Sequence, residues 1–122
     1  MKRSFPAPPP APPDAAALEA VERLAGELAA VATPLRLKPT AGETLGCAAY
    51  REAKAIEARG YTPRSRALQS VATANAAIQR AREAAQGARG AETIRYRIGR
   101  AREELAAARR AIETVMLPVA AE

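Results

Sequence analysis

From residue 94 onward, Ile94, Ile98, Ala101, Leu105, Ala108, Ile112 and Val115 are separated by 4, 3, 4, 3, 4 and 3 positions. Spacing that averages 3.5 keeps one apolar line on one side of a helix and turns it toward another helix. The stretch before it answers with Leu68, Val71, Asn75, Ile78, Arg82 and Ala85 at 3, 4, 3, 4 and 3. Only four residues, "GARG" at 87–90, join the two. Links this short make antiparallel neighbours. The sequence therefore predicts a helical hairpin over about 64–86 and 91–116, with arms roughly 35 to 39 Å long at 1.5 Å per residue. Thr62 and Pro63 suit the cap and first turn of the first arm, and Pro118 lies beyond the second.

Two shorter helices precede the hairpin. Asp14 caps a helix over about 15–32, which stops at Thr33-Pro34. Val21, Leu24, Leu28, Val31 and Leu35 form its stripe, with Leu18 beside it. "TAGE" at 40–43 has capping-box spacing, so a helix is expected from about 42 to 59, ended by Gly60. Its apolar set, Leu45, Ala49, Ala53 and Ile56, is thin, and Gly46 weakens its start. The expected architecture is all-α: one small domain over 14–122, after an extended arm over 1–13.

That arm contains "PAPPPAPP", which lacks amide donors and favours polyproline II. Such a segment serves as a plain spacer or docks on a partner groove, and Pro8, Pro9 and Pro10 are then the docking residues. The core is expected to be thin. Leu, Ile, Val and Phe together supply 20 of 122 residues, and the 48% hydrophobic content is carried largely by alanine. Alanine favours helix but buries little area, so the chain reads as a subunit that completes itself on a partner or on a second copy.

The absence of histidine, with Cys47 the only cysteine, removes Cys/His and Ser/His/Asp catalysis, internal disulfides and multi-cysteine metal sites. Glu103 and Glu104 are adjacent, so a helix points them about 100° apart rather than together. "GARG" lacks the Lys-Ser/Thr of a phosphate-binding P-loop. No enzyme activity, cofactor, metal or small-molecule substrate is expected. Cys47 reads as a small apolar filler on its helix. No apolar run reaches the roughly 20 residues that span a bilayer, and cysteine usage fits a cytoplasmic protein or a particle assembled there.

Charge is unevenly placed. Eight Lys/Arg stand against seven Asp/Glu before residue 62, and eleven against six after it. Arg95, Arg102 and Arg109 repeat every seven residues at the edge of the last helix's seam. In coiled coils such positions meet carboxylates of a neighbour, which the acidic helix 15–32 or a partner could supply. Asn75 either fixes register in the hairpin or marks a seam open to water. A second reading gives the arginines to nucleic acid, with Arg89, Arg100, Arg110 and Tyr96 as the contact set; Glu92, Glu103, Glu104 and Glu113 dilute that field.

The leading expectation is a non-enzymatic helical interaction protein, a small subunit or adaptor of a larger complex. A short alanine- and arginine-rich chain of this kind suits a minor phage or mobile-element component, or an accessory subunit of a cellular complex. The alternatives are a basic nucleic-acid-binding accessory protein and a small inhibitor of a host enzyme or defence complex.

Overall fold

A computed structural model describes residues 12–116, and the arm residues Pro8, Pro9 and Pro10, like Pro118, lie outside that range. Four helices follow in order: α1 (Ala15–Ala32), α2 (Leu45–Glu57), α3 (Pro63–Gln86) and α4 (Ala91–Met116). A short 3-10 turn, Thr33–Leu35, extends α1. The described residues contain no strand.

Helix ends follow local chemistry. The Asp14 carboxylate accepts from the Ala17 N–H at 3.0 Å. Thr62 Oγ1 accepts from the Ser65 N–H at 3.0 Å while Ser65 Oγ accepts from the Thr62 N–H at 2.9 Å, a reciprocal cap that starts α3 at Pro63. Between α3 and α4 the chain reverses through Ala88 and Gly90, both at positive φ, and the second of these suits glycine's missing Cβ.

The α2 boundary differs from the sequence expectation. Glu43 does reach back to the Thr40 N–H at 3.0 Å. That pair closes a turn, because Thr44, four residues later, is the residue whose hydroxyl caps the helix by accepting from the Cys47 N–H at 3.1 Å. Two threonines compete for one start, and the one directly before Leu45 wins. Gly60, at φ 123°, follows the far end.

The helix α3 runs through the middle. Both α4 and α1 pack against it and against each other, while α2 packs on a further side of α3. Two hydrogen bonds fix the ends: the Asp14 N–H donates to the Ala85 carbonyl at 2.9 Å, and the Arg64 side-chain Nη2 donates to the Leu35 carbonyl at 2.7 Å. So α1 runs antiparallel to α3 and alongside α4 in the same direction.

Ile94, Ile98, Ala101, Leu105, Ala108 and Ile112 are all buried, as the heptad spacing requires, with Val115 half-buried at the end. Val21, Leu24, Leu28 and Leu35 cover them from α1, and Ala32 is buried where Val31 is only half-buried. The seam of α3 is rotated from the expected one. Ala67, Ala74 and Ala81, each fully buried, join Leu68, Val71, Ile78 and Ala85. Asn75 and Arg82 do not interrupt this seam, because each faces a different helix. A Cβ placed on Gly46 of α2 would lie 2.5 to 2.7 Å from Asn75 side-chain atoms, and Arg82 Nε donates to Glu22 Oε1 of α1 at 2.7 Å. The apolar weight of α1 and α4 fixes which side of α3 turns inward, and polar residues at the margin of that side meet whichever helix lies nearest.

Candidate interaction surfaces

Arg95, Arg102 and Arg109 stand exposed in one line on α4, successive members about 10.5 Å apart along the axis. Beside them an open groove of about 270 Å³ runs between α1 and α4. Leu24 and Leu105 form its floor with Ala20 and Ala106, Arg102 and Arg109 edge it on α4, and Arg23 and Glu27 edge it on α1. The acidic residues of α1 make no ion pair with this line, although Glu27 lies across the groove from Arg102 and Arg109. Glu22 turns to Arg82 of α3, Glu19 pairs with Arg23 at 3.7 Å, and among the described residues no ion pair within 4 Å involves Arg95, Arg102 or Arg109. The expected in-chain pairing is therefore not made.

The opposite side of α4 forms a second surface with α3. Thr73, Ala76, Ala77 and Arg80 of α3 face Tyr96, Arg97, Arg100 and Glu104 of α4 across a groove of about 410 Å³. A smaller recess of about 120 Å³ continues it toward the turn and adds Glu83, Arg89 and Thr93. Of the expected nucleic-acid set, the fold gathers Arg89, Arg100 and Tyr96 here. Arg110 lies about 21 Å along the axis from Tyr96 and is not part of it. Arg100 is engaged locally, donating to Glu103 at 3.1 Å and to Glu104 at 2.9 Å. Arg80 and Arg97 take its place. The sequence did contain a signal for that pair: the two residues are equidistant from the middle of the 87–90 turn, so a hairpin sets them opposite each other.

A third surface is the outer side of α2. Cys47 is exposed there, not a filler, because Gly46, Ala48, Ala49 and Ala53 occupy the inward positions. Lys54 sits 5.3 Å from the Tyr50 ring centroid and bridges to Glu57 at 3.1 Å, which raises its pKa. Glu57, which also accepts from Gln69 of α3 at 3.0 Å, is held below the ordinary carboxylate range by the Gln69 and Lys54 bonds.

Among the described residues no group of three or more His, Cys, Asp or Glu is placed to hold a metal ion. No helix among them is long and apolar enough to cross a membrane. Comparison with protein-family models, curated proteins and solved structures finds no match.

Proposed function

We propose that the chain is a non-enzymatic helical adaptor, a small subunit of a larger assembly that docks an acidic helix of a protein partner along the α1/α4 groove. The observation that carries this reading is the line Arg95, Arg102 and Arg109, without an ion pair among the described residues, two of which, Arg102 and Arg109, edge an open groove with Leu24 and Leu105 in its floor. A helix presenting carboxylates every seven residues matches the line's spacing, and its apolar side chains would cover the groove floor.

Arginine suits the task because its planar guanidinium binds a carboxylate through two parallel hydrogen bonds. The thin core fits the same reading: roughly half of the buried apolar residues are alanine, so further burial against a partner adds stability that a lone chain lacks. Affinity purification of the tagged full chain, beside an Arg95→Glu/Arg102→Glu/Arg109→Glu variant of equal helicity, tests it. The expected result is a stoichiometric protein partner lost from the variant. An identical partner set in both samples, or none in either, overturns the proposal.

A further inference from the structure

We infer that the α3/α4 groove is a second, separate binding surface that takes a short run of single-stranded nucleic acid. Three arginines from different parts of the hairpin converge on it: Arg80 from α3, Arg97 from α4 and Arg89 from the turn. Among the described residues none of the three has a carboxylate within 4 Å, although Arg64, Arg82 and Arg100 of the same hairpin are all paired. The two recesses share Arg80 and Arg97, so they form one continuous path.

The carboxylates on that path are partly accounted for. Glu104 accepts from Arg100 at 2.9 Å, and Glu83 lies 3.5 Å from the Gln79 amide. This leaves the three unpaired guanidinium groups as the strongest anion-binding elements of the groove. Tyr96 borders it with 64% of its surface exposed, more than a packing role explains. An exposed aromatic ring next to arginines supplies a stacking face for a base while the arginines hold phosphates. An acidic peptide would use the arginines and leave the ring idle.

The dimensions agree with a few nucleotides. From Thr93 to Glu104 the lining of α4 extends about 16 Å, which accommodates roughly four or five nucleotides at stacked spacing. The groove itself is a cleft between two helices, which a flexible single strand can follow.

The test is fluorescence anisotropy of the full chain with labelled oligo-dT and oligo-U of about 16 nucleotides, a matching duplex, and polyglutamate as the acidic-peptide probe. Three phosphate contacts predict a roughly 20-fold loss of single-strand affinity between about 50 and 200 mM salt. Arg80→Gln/Arg89→Gln/Arg97→Gln should flatten that salt dependence, and Tyr96→Ala should weaken binding about 5-fold or more. Arg95→Gln/Arg102→Gln/Arg109→Gln should retain binding, which keeps this result independent of the adaptor reading. All the substituted residues except half-buried Arg97 are exposed, and circular dichroism checks that helicity is unchanged. The inference is overturned by any of these results: no binding of single strands below about 100 µM, equal loss in both arginine variants, an unchanged Tyr96→Ala, or a duplex or polyglutamate bound as tightly as the single strand.

Discussion

The helices α4 and α2 both pack on α3, and they are held there by different means. Along α4 the contact is a line of isoleucine and leucine at heptad spacing, backed by Val21, Leu24 and Leu28 of α1. Along α2 it consists of Gly46, Ala49 and Ala53, with Ile56 at the margin and polar contacts from Glu57 to Gln69 and Arg64 to Glu52. The first interface gains its strength from apolar area, and its removal should be felt by the whole domain. The second depends on backbones approaching closely, so its tolerance is set by shape, and α2 should be able to loosen while the rest stays folded.

The largest expected effect falls on the α4 side. Leu105→Ala removes a nearly fully buried side chain between α1, α3 and α4, and about 2 to 5 kcal/mol of stability should go with it. Marginal domains hold only about 5 to 15 kcal/mol in total. Urea unfolding followed by circular dichroism should therefore display an earlier midpoint with all helices lost together. A midpoint unchanged from wild type would mean that the heptad line is not the main support.

On the α2 side the decisive change adds atoms. Gly46→Ala places a methyl group 2.5 to 2.7 Å from Nδ2, Cβ and Cγ of Asn75, too close for the tip alone to yield. A cost of about 1 to 3 kcal/mol is expected, with faster amide exchange confined to residues 45–57. Adding Asn75→Gly should restore part of the loss despite glycine's own cost of about 1 kcal/mol in a helix. Simple addition of the two losses would refute a direct Gly46–Asn75 contact.

These two interfaces also differ in how far the sequence disclosed them. Apolar spacing reports which residues turn inward, so the hairpin, α1 and the buried line of α4 were legible from Ile94 to Ile112. Alanine carries almost no such signal, because it is at home on either face. In the sequence the phase of α3 therefore rests on Leu68, Val71 and Ile78 alone, which places Asn75 and Arg82 in the hairpin seam, whereas in the fold they serve α2 and α1. Local propensity marks Gly46 only as a helix-weakening residue; its reason is a neighbour 29 positions away. For the arginines, spacing along one helix identified Arg95, Arg102 and Arg109 but left their partners undetermined. The Arg80–Arg97 juxtaposition required folding the hairpin.

A smaller effect distinguishes the two threonines before α2. Thr44→Ala removes the hydroxyl that accepts from the Cys47 N–H and should cost about 1 kcal/mol. Thr40→Ala should cost less, since the Thr40 N–H bond to Glu43 survives it. Equal losses would return the capping role to Thr40.

The mildest probe leaves the covalent structure intact and changes only pH. Arg51 donates to both Glu43 oxygens, at 3.1 and 2.9 Å, and to the Lys38 carbonyl at 3.2 Å, which fastens the 38–44 segment to α2. The Arg51 bonds to the Glu43 carboxylate, followed by that from the Thr40 N–H, pull the Glu43 pKa from 4.5 down to about 2. Because the folded value lies below the unfolded one, Glu43 favours the folded state fully above pH 4.5, and that contribution fades as pH falls through about 2. A carboxyl-detected NMR titration should place the Glu43 midpoint well below the ordinary 4.5, and Arg51→Gln should move it upward toward that value. Should Glu43 titrate near 4.5 in the unmodified chain, the Arg51 clasp is absent in solution, and the approach to α2 rests on the Thr44 cap and the Gly46–Asn75 contact alone.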